Sequence, residues 1–221
     1  MTRFLALTAS LTLSTVLALP AAGYATVHPG PAAARTVAPD PADKLTAALL
    51  TGPELPTGYA PQLDAIDDLF ARIPGEIASC GKTAALPAGT VFREFVRGAK
   101  DEELLVETLS EPGGAGTRAA VTALREAQRN CASFTRKPGE LPMELRFAVS
   151  KSAAGPKIGE ASAVVGFVMT VPSMELTVNG RLISVAAGGT QVTMLLMTEK
   201  KPKAADLTAA ARAAVTKVLS R

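Results

Sequence analysis

The chain has 221 residues with a formal net charge of +3, and it contains two cysteines, one histidine and no tryptophan. Its basic residues are spread along the chain instead of forming one stripe, which argues against nucleic acid as a partner. Aromatic residues make up only 4% of the chain, so there is little material for stacking platforms that bind bases or sugars.

Residues 1–25 have the three parts of a secretory signal peptide. Arg3 supplies a positive charge, the segment from Phe4 to Leu19 is uncharged and short for a membrane span, and small residues precede a cleavage site that we predict after Ala25. The alternative is an uncleaved anchor, which the helix-breaking Pro20 disfavours. A lipid anchor would need a cysteine directly after the apolar segment, where the sequence has none. We therefore expect an exported protein with no stable membrane span after cleavage.

Cys80 and Cys131 are predicted to form a disulfide, because nothing outside the cytoplasm keeps thiols reduced. Such a bridge closes a loop of about fifty residues, which chain-entropy estimates value at about 4 kcal/mol. Two free thiols are the alternative. The spacing excludes a redox pair of the Cys-x-x-Cys type.

Residues 26–39 are rich in proline and alanine, contain His28, and are predicted to form a flexible tether before a single domain at 40–221. A first helix is expected from Asp40–Pro41 to Gly52–Pro53, with apolar residues on one face. Four apolar positions spaced three and four residues apart predict a second helix: Leu63, Ile66, Phe70 and Ile73. Cys80 lies just beyond it.

The middle of the chain predicts a hairpin and a long helix. Residues 90–97 and 104–109 are typical of two strands joined by a charged segment. After the glycine-rich residues 112–116, Thr117 is expected to cap a helix whose apolar stripe directs Cys131 into the core.

The second half is predicted to be mostly strand. Alternating or continuous apolar residues indicate four strands: 143–149, 164–171, 174–187 and 191–198. Asn179–Gly180 is expected to be a tight hairpin turn or a bulge in one long strand. A last helix is predicted over 202–219. Together these elements predict an α+β domain in which a mainly antiparallel sheet is covered on one face by helices.

Two glycine-rich segments resemble nucleotide-binding motifs. The segment from Gly75 to Thr83 has five residues between its glycines where a phosphate loop needs four, so we interpret it as a loop around the disulfide. Gly114 and Gly116 precede a helix as a dinucleotide fingerprint requires, but the strand that follows alternates apolar with charged residues. We interpret this second segment as a turn before a capped helix.

The residues that carry catalysis are scarce. The one histidine lies in the tether, and paired cysteines leave few zinc ligands. The densest acids are Asp64, Asp67, Asp68 and Glu76. We interpret them as a solvated helix face on which Asp68 and Arg72 pair, and we expect no catalytic residue, metal or cofactor.

Two further clusters are interpreted as structural. The methionines that could offer thioethers to copper(I) lie in strand patterns and are expected to pack in the core: Met169, Met174, Met194 and Met197. The basic segment Lys200–Lys203 is expected to be a solvated turn.

Three short segments carry a resemblance to a known family: Leu49–Pro56, Ala127–Cys131 and Leu176–Val185. With the order of the elements, they resemble the sensor-type domains of actinobacteria, similar to the extracellular domain of PknH-type serine/threonine kinases. The resemblance covers the chain from about Asp40 to its end. Such domains often carry a second disulfide near the end of the penultimate strand, where this chain has Ala186–Gly189.

The resemblance implies an α+β domain with a cleft that binds a ligand and performs no catalysis. We therefore expect a secreted binding domain of the bacterial cell envelope, with an unidentified small ligand or envelope component as its partner. A protein-interaction or structural module is the second expectation. A hydrolase that uses carboxylates alone is the third.

Overall fold

The computed structural model describes residues 41–62, 68–82, 85–98, 102–137, 143–151 and 155–221. The helices in these ranges are α1 (Pro41–Ala48), α2 (Leu69–Ala78), α3 (Gly113–Asn130) and α4 (Ala204–Leu219). The strands are β1 (Ala60–Pro61), β2 (Val91–Arg97), β3 (Glu103–Ser110), β4 (Ser133–Arg136), β5 (Leu145–Ser150), β6 (Ala161–Val171), β7 (Leu176–Ala187) and β8 (Thr190–Thr198).

The strands form one sheet in the order β1-β2-β3-β8-β7-β6-β5-β4, and every neighbouring pair is antiparallel. The predicted α+β class and antiparallel sheet are therefore confirmed. The long strands of the second half form its centre, where hairpins β6–β7 and β7–β8 pair over nearly their full lengths.

The helices lie on both faces of the sheet, which corrects the expectation that one face is covered. Successive side chains of a strand point to opposite faces. On β8, Met194 and Leu196 pack in the apolar cluster of α1 and α4, whereas Leu195 and Met197 pack with residues of α2 and α3. The expectation of one covered face was wrong because the central strands are buried on both sides. Their sequences are correspondingly near-continuous apolar runs, a signal that indicates two covered faces.

Asn179 and Gly180 lie inside β7 and form neither a turn nor a bulge. The pairing of β6 with β7 continues through them in one register, with Gly180 opposite Phe167. A β-carbon at position 180 would overlap the Phe167 ring. Glycine is therefore needed here to make room for an aromatic side chain, and the hairpin prediction was wrong.

Two predicted helix boundaries also change. α1 ends at Ala48, so Leu49 and Leu50 lie in the segment that follows it. α3 begins at Gly113, which places the predicted cap Thr117 inside the helix, where it is buried and donates a hydrogen bond from its hydroxyl to Gly114 O at 3.0 Å. The helix prediction at positions 63–67 lies outside the described residues.

Charged side chains hold the segment after α1 against the sheet. Glu107 Oε2 accepts a hydrogen bond from Leu50 N at 2.7 Å, and Arg93 Nη1 donates to Leu50 O at 2.7 Å. Lys217 Nζ of α4 donates to Leu49 O at 2.8 Å. These bonds satisfy backbone groups of Leu49 and Leu50, two buried residues that lie outside any helix or strand. The start of the Leu49–Pro56 segment therefore has a structural role.

In the described part of the chain, none of the helices is both long enough and apolar enough to cross a bilayer.

Candidate ligand pocket

A disulfide links the ends of α2 and α3, which lie side by side on one face of the sheet. Cys80 follows α2, Cys131 is the C-cap of α3, and their Cα atoms are 5.6 Å apart. The pair is the one predicted from the sequence, and Cys131 is buried as expected. Because the bridge joins the C-terminal ends of both helices, it limits how far they can separate.

A buried ion pair ties α2 to the edge of the sheet as well. Arg136 Nη1 of β4 lies 3.0 Å from Glu76 Oε1 of α2, and the Glu76 side chain is only 3% exposed. Breaking such a pair leaves an uncompensated buried charge, which is strongly destabilising. α2 is thus held at its end by a covalent bond and on its flank by an ion pair.

The glycine-containing segment is described from Gly75 to Lys82, where it forms the end of α2 and a cross-linked turn; Thr83 lies outside the described residues. Gly75 lies within the helix, and Gly81 N donates to Glu76 O at 2.8 Å. A β-carbon at Gly81 would lie 2.7 Å from Phe134, so the turn packs tightly against β4. The interpretation as a loop around the disulfide agrees with this arrangement, because a phosphate loop requires a helix that begins after the glycines.

A cavity of about 190 Å³ lies between α2, α3, the sheet and the segment 85–90. Its walls are made mostly of small or apolar residues: Ala71, Pro74, Gly75 and Ala78 of α2, Ala120 and Leu124 of α3, and Ala85, Leu86 and Pro87 of the outer segment. Thr90 closes that segment into a turn, since its hydroxyl donates to Pro87 O at 2.6 Å. A cavity of about 150 Å³ holds benzene in an engineered protein, so this one is large enough for a six-membered ring.

Four polar side chains of β3 and β8 form the floor of the cavity. Thr108 is paired with Thr193, and Ser110 with Gln191. Cross-strand partners bring their β-carbons to within about 4.5–5.5 Å, so the four side chains form a two-by-two polar patch. Within this patch, Gln191 Nε2 donates a hydrogen bond to Ser184 Oγ of β7 at 3.2 Å.

Part of this polar floor has no partner from the protein. Within the described residues, the hydroxyls of Thr108 and Ser110 make no hydrogen bond, although Ser110 is only 4% exposed. Thr193 reaches Ser184 only at 3.5 Å. These hydroxyls are therefore available to a molecule that enters the cavity.

Arg72 is the one charged side chain among the described residues that line the cavity. Its Nη2 lies 2.6 Å from Asp68 Oδ2, which confirms the predicted pair one helical turn apart. Asp64 and Asp67 lie outside the described residues. Of the four acids considered in the sequence, the two that the structure describes form ion pairs. Asp68 pairs with Arg72, and Glu76 pairs with Arg136. The described residues contain no group of three metal-ligating side chains.

Two buried carboxyl groups lie away from the cavity on opposite faces of the sheet, and the sequence reasoning missed both. Glu94 of β2 is 1% exposed, its Oε1 has no partner among the described residues, and burial raises its pKa to about 7. Burial also raises the pKa of Glu107 to about 7, against the opposing effects of the Leu50 N–H and of Lys217 and Arg93. Glu107 lies two residues from Leu105 and from Leu109, so it shares a strand face with these two buried side chains.

The other sequence motifs are structural. Gly114 lies in the first turn of α3 next to Gly189 of the β7–β8 turn, where an added β-carbon would lie 3.7 Å from Gly114 N. Lys200, 80% exposed, pairs with Glu102 at 3.1 Å in a solvated turn, as expected.

The methionines divide between core and surface. Met169, Met194 and Met197 are buried, as the strand pattern predicted. Met174 is 51% exposed, because it lies in a 3-10 turn before β7 and not in the strand. The prediction that all four pack in the core was therefore wrong for Met174.

No family model matches this chain. No curated protein matches it either. Among solved structures, the chain is similar to the extracellular domain of PknH from Mycobacterium tuberculosis, with a TM-score of 0.51 and 15% sequence identity over 83% of this chain and 99% of that one. The resemblance inferred from the sequence is thereby confirmed at the level of the fold. This chain shares its α+β fold with that extracellular domain.

Proposed function

We propose that this chain is an exported, non-enzymatic binding domain that holds a small ligand in the cavity between α2, α3 and strands β3 and β8. The cavity itself carries the proposal. It combines mostly apolar walls with a few polar groups directed at one side, which is the usual composition of a small-molecule site. The disulfide and the Glu76–Arg136 ion pair support a preformed site, because they hold one helical wall in place.

Export is supported by the signal-peptide pattern of residues 1–25 and by the disulfide, since such bridges persist in oxidising compartments. The similar PknH domain is extracellular, in agreement with this location. A role without catalysis is supported by the ion-paired state of the described acids near the cavity.

The scarcity of exposed apolar side chains in the described part of the chain favours a small ligand over a protein partner. The large hydrophobic residues exposed in the described part of the chain are Met174 and Leu219. Two such residues are ordinary for a protein surface, whereas protein-binding sites expose contiguous apolar patches.

Native mass spectrometry tests this proposal on protein purified without denaturation from its own host. We expect the wild-type chain to carry an added mass that leaves on denaturation. Ala120→Phe, which fills the cavity from α3, should lack that mass. Ala119→Phe is the matched control, because Ala119 is the exposed neighbour on the same helix. Wild-type protein without added mass, or an Ala120→Phe variant that keeps it, would contradict the proposal.

A further inference from the structure

We infer that the cavity takes an uncharged ligand with two unlike sides: a hydrocarbon face against the helices and hydrogen-bonding groups along the opposite edge. The inference rests on the proposed function, because it assigns a chemical class to the molecule that occupies the same cavity. Four observations carry it: the position of the polar floor, its open hydrogen bonds, the neutral lining and the shape of the walls.

The polar floor begins at the same level of two neighbouring strands. On β3, the face that packs under α2 and α3 changes from apolar at Val106 to polar at Thr108. On β8, the same face changes from apolar at Leu195 to polar at Thr193. Val106 is paired with Leu195 and Thr108 with Thr193, so both changes occur at one register. The sheet therefore offers a sharply bounded polar patch that coincides with the cavity.

These polar groups require a partner that the described part of the protein does not supply. Within the described residues the hydroxyls of Thr108 and Ser110 have no protein partner, so a ligand that covers them without hydrogen-bonding to them would incur a cost in free energy. A ligand edge with alternating donors and acceptors satisfies hydroxyls well, because each hydroxyl both donates and accepts.

The lining is electrically neutral. Arg72 is the charged group that the described lining contributes, and Asp68 compensates it at 2.6 Å. A charged ligand would lose its hydration without gaining an uncompensated partner, which is costly in a mostly apolar site. The site therefore favours an uncharged molecule over an anion or a cation.

The side opposite the floor offers hydrocarbon contacts. Ala71, Pro74 and Ala78 of α2 and Leu124 of α3 have no polar side-chain atoms, and the short side chains of α2 leave space between this helix and the sheet. A volume of about 190 Å³ fits one substituted six-membered ring, given the benzene cavity of about 150 Å³.

Three probes with the same ring and different polarity test the inference on the full chain. Phenol has a hydroxyl, toluene has a methyl group, and benzoate is charged at pH 7. The readout is the methyl ¹³C-NMR shift of the cavity residues Ala71, Thr108, Leu124 and Thr193 during titration. We expect the dissociation constant of phenol to be about five- to tenfold lower than that of toluene, as a gained hydrogen bond implies, and lower than that of benzoate, whose charge would lose its hydration.

Variants of the floor connect that preference to the polar patch. Thr108→Val keeps the shape of the side chain and removes the hydroxyl, and Ser110→Ala removes the neighbouring one. We expect the double variant to bring phenol and toluene to within about threefold of each other. Ala119→Phe should leave the preference unchanged.

Equal affinities for phenol and toluene would overturn the inference, as would tightest binding of benzoate. A phenol preference that persists in the double variant would also overturn it. If no probe shifts the cavity methyl signals, the inference fails. The native mass measurement still decides the proposed function separately, because it detects the ligand acquired in the host and not these probes.

Discussion

Thr108 and Thr193 face each other across strands β3 and β8 on the side of the sheet that α2 and α3 cover. They are far apart in the sequence, and antiparallel pairing brings them together at the bottom of the cavity. The disulfide joins the two helices that form the walls. The stability of the helical layer and the geometry of the cavity are therefore coupled, and the first prediction depends on that coupling.

Removing the disulfide should destabilise the domain and disturb the cavity. For Cys80→Ser combined with Cys131→Ser, we expect the free energy of unfolding to fall by about 2–4 kcal/mol, because the unfolded chain regains the freedom of an open loop. Guanidinium unfolding of the oxidised wild type and the double variant measures the loss. Indistinguishable unfolding midpoints would contradict the expected stabilisation by the bridge.

Gly180 should tolerate no side chain. A β-carbon there overlaps the Phe167 ring, so we expect Gly180→Ala to lower the free energy of unfolding by about 1–3 kcal/mol through overpacking. Gly52→Ala is the control, since an added β-carbon there makes ordinary contacts of 3.7 Å and longer. Urea unfolding of both variants checks this prediction, which fails if the two lose similar stability.

The domain should lose stability as the pH rises through neutrality. The pKa values of Glu94 and Glu107 are raised in the folded protein from 4.5 to about 7. The folded state therefore binds protons that the unfolded state has released. Their contribution to stability is fully present below pH 4.5 and is lost as the pH rises through 7. Urea unfolding at pH 5 and pH 8 measures the difference.

Glu94→Gln separates this effect from the other titrating groups. The amide remains uncharged, so we expect the difference in unfolding free energy between pH 5 and pH 8 to shrink by about 1–2 kcal/mol relative to the wild type. Glu126→Gln on the exposed side of α3 is the matched control. An unchanged pH dependence in Glu94→Gln would mean that Glu94 does not titrate in this range.

Lys217, which links α4 to the segment after α1, should contribute more to the free energy of unfolding than a surface lysine does. Lys217→Met removes a donor to Leu49 O and to Glu54 Oε2, both at 2.8 Å, and we expect a loss of about 1–2 kcal/mol. Lys200→Met, which removes an 80% exposed partner of Glu102, should cost less than about 0.5 kcal/mol. Thermal unfolding compares them, and equal shifts would contradict the proposed role of Lys217.

Export predicts a processed chain. Intact-mass measurement of protein from the host's culture medium should give a chain that begins near Thr26 and is lighter by two hydrogens than the reduced form, because cleavage follows Ala25 and the cysteines pair. A retained signal or two free thiols would contradict this prediction.

The sequence predicted the elements whose signals are local. Alternation marked β5, where Leu145 and Phe147 are buried and Arg146 is exposed, and apolar periodicity marked α4. β4 was missed because its four residues are too short for a pattern, although Phe134 stacks on Phe147 at 4.7 Å between ring centroids.

The cavity could not be predicted from the same local signals. Its floor depends on the register between β3 and β8, and one sequence does not fix which distant strands pair. The change from Val106 to Thr108 is visible in the sequence, as is that from Leu195 to Thr193. Each alone is typical of a strand that reaches solvent. The two changes indicate a site only once they are known to be adjacent beneath two helices.

The most direct test of the central claim is a crystal structure of the protein purified from its own host without denaturation. The proposed binding function predicts density for a small molecule between α2, α3 and the sheet, with polar atoms within hydrogen-bonding distance of Thr108 or Ser110. A cavity closed by its own side chains, or filled with water alone, would contradict it.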